Sequence, residues 1–401
     1  MSNSPERVEP AERVEPAERV EPAERVEPVE TPFTKLPGAV GDPPEHYGNP
    51  LGEQRALAAG EAVVDLSDRG VITVTGPDRL TWLDSLTSQA LTGLMPGDST
   101  ETLQLDPTGR VEFAMRVVDD GATTWLLVDG PQAAPLQAWL DRMRFMLRVE
   151  VADLSADYAT IGSLGLPVEG AAVVWNDPWN SVAVGGHQYS ARAAYDWSYS
   201  ESLVKRVELV ETVDALVSTG STRSGGSTRS GGSTRSEGST RSAAGTLALE
   251  ALRIAAWRPR LSAEVDERTI PHELDWLRSA VHLSKGCYRG QETVAKVHNL
   301  GHPPRRLVML HIDGSDGVLP KHGDVVEAGD APVGVVTSAA LHFELGPIAL
   351  AVIKRSVDPA LTLTIVADSA RLAAAQEIIV PTDAGAEANV PRLPRLGAVQ
   401  R

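Results

Sequence analysis

Apolar and polar positions change period several times along the chain, and the changes divide it into elements. Leu51, Leu57 and Val63 mark a helical or turn segment that leads into the alternation Val71, Ile72, Thr73, Val74, which predicts a strand. Gly76, Pro77 and Asp78 then punctuate it, and the stripe Leu80, Leu83, Leu86 predicts a helix over residues 78–90. Strand patterns follow at 100–105, 111–118 and 123–128, separated by Asp-Pro-Thr-Gly and Asp-Asp-Gly turns. Leu136, Trp139, Leu140 and Met143 fall at helical spacing, and 145–151 returns to strand character, with the aromatic and methionine side chains of this stretch assigned to the core.

A second α+β stretch carries strand patterns at 158–163, 171–175 and 181–184, then helical patterns at 247–256 and 270–281, the latter with Pro271 near its start. A short helix over 291–298 ends at Asn299, Leu300 and Gly301, and Pro303 and Pro304 forbid its continuation. Beyond this boundary, strands at 307–312, 333–337, 348–353 and 361–366 between Gly, Pro and Asp turns predict a small β-barrel. Two stretches fit no element. Residues 6–28 repeat Glu-Arg-Val-Glu-Pro-Ala, where proline and charge oppose packing, and 218–242 repeats Ser-Thr-Arg-Ser-Gly-Gly, a flexible composition. The expected fold class is α+β. Its expected organisation is a disordered tail (1–45), a first α+β domain (46–150), a second (151–300) interrupted by an insert at 218–245, a C-terminal β-barrel (301–385) and a disordered tail (386–401).

Composition narrows the partners. A formal net charge of -17 in 401 residues argues against a nucleic-acid or anionic-membrane binder, since attraction to phosphate needs positive surface. No apolar run reaches the length of a membrane helix, and no secretion signal opens the chain. One cysteine makes no internal disulfide and cannot by itself hold an iron–sulfur cluster, so a soluble cytoplasmic monomer is expected. His272, His282, His298 and His302 lack the spacing and acidic partner of a zinc site, and no metal ligand is expected.

That cysteine lies in the octet Lys285, Gly286, Cys287, Tyr288, Arg289, Gly290, Gln291, Glu292. A thiol is nucleophilic as thiolate, and Lys285 together with a helix start near Gly290 would favour ionisation. A small buried hydrophobe is the plainer role for a lone cysteine. Tyr288 offers a face for stacking and a hydroxyl, Gln291 and Glu292 can cap backbone donors or meet a ligand, and Gly286 and Gly290 permit close backbone approach.

The octet matches the K-G-C-Y-x-G-Q-E signature of the YgfZ-type folate-binding proteins, relatives of the aminomethyltransferase (T-protein) of the glycine cleavage system, and residues 76–91, 96–111 and 252–297 also resemble that family. The resemblance implies two interleaved α+β domains and a barrel around a central folate channel. It further implies tetrahydrofolate or a one-carbon derivative as cofactor, and iron–sulfur enzymes as clients whose clusters the protein helps assemble or repair. Cys287 and Lys285 then stand as catalytic candidates and Glu264, Lys285, Tyr288 and Gln291 as folate contacts, Glu264 lying where the aminomethyltransferases grip the pterin, while Gly286, Gly290 and Glu292 shape the motif. Two departures matter, the first against the transferase reading and the second for the geometry of the folate site. Where the aminomethyltransferases carry G-G-x-x-D-D this chain has Gly109-Arg110-Val111-Glu112-Phe113-Ala114, with Glu112 one position off and directed to the opposite strand face. Where both groups show L-R-x-E-x-G, Ala255 replaces the carboxylate. A folate-dependent aminomethyl- or methyltransferase and a non-catalytic folate-sensing scaffold remain the alternatives.

Overall fold

A computed structural model describes residues 31–191, 195–217, 241–315, 317–368 and 370–388. The hexapeptide repeat, the insert over 218–240 and the terminal 389–401 lie outside the described residues. Within the stretch read as an N-terminal tail, Pro32–Lys35 forms a 3-10 turn and Phe33 is fully buried.

In chain order the body begins with helix α1 (Pro50–Ala58), whose Pro50 opens the helix and whose Asn49 side chain accepts from the Gly52 amide at 3.1 Å. Strands β1 (Ala62–Asp65) and β2 (Gly70–Thr75), helix α2 (Arg79–Leu86), strands β3 (Ser99–Leu105), β4 (Val111–Asp119) and β5 (Thr123–Val128), helix α3 (Ala133–Met143) and strand β6 (Glu150–Asp153) follow. Next come β7 (Tyr158–Leu164), β8 (Val173–Asn176), β9 (Tyr199–Lys205), helix α4 (Leu209–Leu216), β10 (Ser242–Ala244) and helices α5 (Thr246–Ala255), α6 (Leu261–Glu264), α7 (Leu277–Ala280) and α8 (Gln291–Leu300). The last unit is β11 (Arg305–Ile312), β12 (Val325–Ala328), β13 (Ala331–His342), β14 (Gly346–Lys354), β15 (Leu363–Ala367) and β16 (Ala370–Ile378).

The strands build two five-stranded sheets, ordered β10-β1-β7-β9-β8 and β3-β4-β5-β2-β6, and a closed barrel ordered β11-β14-β13-β12-β15-β16. β1 joins the sheet that β7 to β10 complete, so the two α+β domains are interleaved as expected. One apolar core runs through Val64 and Leu203 of the first sheet, Leu103 and Val118 of the second, Leu252 of α5 and Met309 of the barrel. A separate core packs α2 and α3 on the other face of the second sheet, and a third fills the barrel. No helix among the described residues is long and apolar enough to cross a membrane.

Several boundaries differ from the sequence pattern. α2 stops at Leu86 rather than 90, and the backbone of 87–89 turns to serve contacts described below. The strand expected over 145–151 starts only at Glu150. Phe145 adopts a left-handed φ of 49°, and Phe145 and Met146 are each 89% exposed, not core residues. The apolar run had the composition of a strand, but Arg144 and Arg148 on either side keep it at the surface. No strand forms over 181–184. The amphipathic helix expected over 270–281 is a 3-10 turn at Pro271–Leu274, a left-handed Asp275 and the short α7, all buried, so no solvent face existed to pattern. Strands β9, β12 and β16 were not anticipated. β9 (Tyr-Ser-Glu-Ser-Leu-Val-Lys) is buried along six of its seven residues despite three polar side chains between Tyr199 and Leu203.

Candidate functional site

Between the two sheets, α5 and the segment before α6 lies a cavity of about 460 Å³. Its wall holds five arginines, Arg69, Arg116, Arg253, Arg258 and Arg260, facing Asp129, Asp177, Glu201 and Glu250. β9 presents Glu201 and Tyr199 from the first sheet, β4 presents Arg116 from the second, and α5 and the Arg258-Pro259-Arg260 segment close the third side.

The charges interlock. Arg69 pairs with Asp129 and reaches Glu201 at 3.6 Å, while Arg116 stands 3.4 Å from Asp129 and 3.3 Å from the same Glu201 oxygen, Oε1. The Tyr199 hydroxyl also donates to Oε1 at 2.9 Å. Arg258 bridges Glu101 at 2.7 Å and Asp177 at 2.8 Å. Arg253 bonds Glu250 and, at 2.9 Å, Glu264. Burial acts to raise the Asp129 and Glu250 carboxyls, but the neighbouring guanidinia outweigh it, holding Asp129 below the usual carboxylate range and Glu250 at about 2. At Asp177 burial prevails over Arg258 and the carboxyl is pushed up, with Glu101 adding to the rise. The Tyr199 phenol is likewise raised by burial, then by Glu201.

Several buried atoms of this wall have no hydrogen-bond partner: Glu201 Oε2, Arg258 Nη1, Arg69 Nε and Arg260 Nε. Glu201 is 0% exposed and Arg258 6% exposed. Orphaned charged atoms at this depth are costly unless something polar meets them. The residues lining the cavity thus carry an unmatched acceptor atom and unmatched donor atoms, and Trp197 and Tyr199 of the same lining stack at 4.9 Å between ring centroids.

The residues singled out in the sequence lie elsewhere. Glu264 spends both oxygens inside the protein: Oε1 accepts from Thr337 and Ser338 of the barrel, and Oε2 from Arg253 and the Arg260 amide at 2.8 Å. It fixes the arginine wall from behind. In the octet, the Lys285 ammonium donates to the carbonyls of Asp84, Thr87 and Gln89, and Asp84 Oδ2 lies 3.4 Å away. Burial lowers the Lys285 pKa against the pull of Asp84. The Tyr288 ring lies under that ammonium at 5.5 Å, its hydroxyl buried without a partner. Gln291 donates to the Lys285 carbonyl at 3.1 Å. Cys287 is exposed, as is Glu292. Gly290 has a left-handed φ of 84° and a Cβ there would lie 2.6 Å from the Asp106 carbonyl, whereas a Cβ on Gly286 would meet nothing within 4 Å. Of the two glycines, Gly290 makes the close approach.

The octet thus seats α8 on the β3–β4 turn, beside Gly109. In β4, Phe113 turns toward Trp139 of α3 at 6.5 Å, and Ala114 lines a recess of about 20 Å³ shared with Arg116, Asp129, Arg258 and Arg260. Glu112 is held outside, accepting from Gln104 at 2.7 Å with Arg289 3.8 Å away. Ala255 is buried in the shared core. Among the described residues no group of three His, Cys, Asp or Glu side chains could hold a metal ion.

Residues 305–388 match the glycine cleavage T-protein C-terminal barrel domain. The barrel is thus similar to that domain of the glycine cleavage T-protein family. An aminomethyltransferase of Rippkaea orientalis is 25% identical over 334 residues, 78% of this chain and 84% of that protein. A putative chloroplast transferase of Arabidopsis thaliana is 25% identical over 308 residues, covering 73% of this chain and 66% of that protein. The glycine cleavage aminomethyltransferase T of Bartonella henselae shares the fold, with a TM-score of 0.62 at 16% identity over 84% of this chain and 91% of that one. Its T-protein relatives thus agree with the α+β body and barrel. The signal for the cavity was present in the sequence as Arg253, Arg258 and Arg260 crowded into an apolar stretch of an acidic chain, but their partners Glu201, Asp129 and Asp177 come from distant strands and turns.

Proposed function

We propose that the chain binds a reduced folate, tetrahydrofolate or a one-carbon derivative, in the arginine-walled cavity and supports iron–sulfur enzymes rather than transferring an aminomethyl group. One observation carries the binding reading: Glu201 and Arg258, both in the cavity lining, keep Oε2 and Nη1 without a hydrogen-bond partner. A pterin ring presents adjacent N–H donors that suit a carboxylate, and a carbonyl and ring nitrogens that suit a guanidinium. Trp197 and Tyr199 supply flat apolar surface for such a ring. A bound reduced folate would supply the nitrogens that carry a one-carbon unit. The protein's share is to orient the ring through Glu201 and Arg258 and to hold the arginine wall in place through Glu264.

The client role rests on the octet's likeness to the YgfZ-type signature, with Cys287 exposed where a thiol can meet another protein. The aminomethyltransferase relatives favour a second reading, a folate-dependent aminomethyl- or methyltransferase. Against it stands Ala114, which offers no acid or base to the recess beside the cavity. Titration with tetrahydrofolate is expected to show binding in the wild type and a loss of roughly tenfold or more in Glu201→Gln, which withdraws one charged acceptor. Wild-type affinity in that variant would sink the reading. Turnover with reduced folate and a lipoyl or N-methyl donor would decide for the transferase.

A further inference from the structure

The cavity changes charge from floor to mouth. Its buried floor holds Glu201 and Arg258, each within a few per cent of full burial, whereas the exposed residues of its lining include Asp42, Glu45 and Asp68. The ion pairs among the described residues leave these three carboxylates without a cationic partner. Arg260, the half-buried cation nearest in kind, is 3.2 Å from Glu250 and so partly neutralised. Anything whose polar ring is held at the floor must emerge past an anionic rim.

We infer that this site selects folates carrying a single glutamate over polyglutamyl folates, an inference that rests on the folate reading above. Each added γ-linked glutamyl unit brings one more carboxylate to the mouth, where it meets negative charge and, among the described residues of the lining, no cation outside an ion pair. At separations near one Debye length in water, each such encounter weakens binding by about 1.5-fold at low salt, and salt screens it. The ring contacts at the floor are common to both ligands and cancel in the comparison.

The test measures dissociation constants of tetrahydrofolate with one and with five glutamates on the full chain, at low and at high salt. The pentaglutamate is expected to bind more weakly by about fivefold at low salt, with the gap shrinking as salt rises. In Asp42→Asn/Glu45→Gln/Asp68→Asn, with an unchanged melting curve as the folding control, the gap is expected to close to within a factor of about two. Pentaglutamate binding as tightly as or more tightly than the monoglutamate overturns the inference and leaves folate binding standing. Binding of neither ligand overturns both.

Discussion

The 285–292 loop and the arginine-walled cavity both bring charge inside this protein, and they treat it in opposite ways. Lys285 has its ammonium covered by three backbone carbonyls and a carboxylate, so nothing of it remains to offer a ligand or to the Cys287 thiol. In the cavity, Glu201 and Arg258 are as deeply placed, Arg69 nearly so and Arg260 half-buried in a lattice of ion pairs, yet each keeps a buried atom unmet. A satisfied buried charge orders the chain around it, and an unsatisfied one is open to a polar partner, whether protein, water or ligand. The motif most conspicuous in the sequence thus clasps α8, α2 and the β3–β4 turn together, and on the proposed reading the ligand is held between the sheets.

Removing a cation separates the two regions most strongly in the cavity. Arg258→Met leaves Glu101 and Asp177 facing each other without their shared guanidinium, and unfolding measurements are expected to show a loss of about 3–5 kcal/mol. A loss under about 1 kcal/mol would mean that the buried carboxylates do not depend on Arg258. In the loop, Lys285→Met strips the donor from three carbonyls and is expected to cost about 2–3 kcal/mol with folate affinity of the folded protein retained. Loss of affinity without loss of stability would move Lys285 from the clasp to the binding site.

Between the two regions stands His272, which donates Nε2–H to the Val294 carbonyl of α8 at 3.0 Å. Burial pushes its pKa from the ordinary 6.5 down to about 3, so the unfolded chain takes up this proton first. The stability tied to the neutral imidazole is complete above pH 6.5 and is lost as pH falls toward 3, by roughly 2 kcal/mol between pH 6.5 and 5. Asp275 works in the opposite sense. Burial raises it to about 6, so its contribution grows as pH falls from 6 toward the unfolded value. The His272 share is therefore read as the difference in pH slope between wild type and His272→Gln in denaturant titrations. Equal slopes would remove the buried-imidazole account.

Much of the fold was legible because its strands alternate and its turns carry Gly, Pro and Asp, as in β3 to β5 and the β13–β14 hairpin of the barrel. Part of what escaped shares one cause. β9 and the segment over 270–281 are buried on all sides and include polar side chains whose partners are tertiary, so neither period nor hydropathy marks them. β16 is alanine-rich and takes its place only through pairing with β11 and β15. The candidate site divides the same way. Glu264 was noticed for its setting and sits one layer behind the cavity, bonded to Arg253. Glu201 was passed over because a carboxylate in a short polar run reads as solvent-facing until the opposite sheet puts Arg69 and Arg116 against it.

The smallest structural effect belongs to the residue with the strongest sequence signal. Cys287 is exposed, accepts no hydrogen bond and packs into no core, so Cys287→Ala is expected to change stability by no more than about 0.5 kcal/mol. Because the thiol is absent from the cavity lining, the variant should also hold tetrahydrofolate as the wild type does. Restoration of iron–sulfur enzyme activity in cells lacking their own homologue should nevertheless fall. That combination would assign the loop a chemical task carried out at the surface, apart from the ligand held between the sheets. Full restoration by Cys287→Ala would leave the octet as a clasp alone and make the cavity the sole seat of function. A drop in folate affinity would instead show that the loop and the cavity act as one site, and the contrast between them would dissolve.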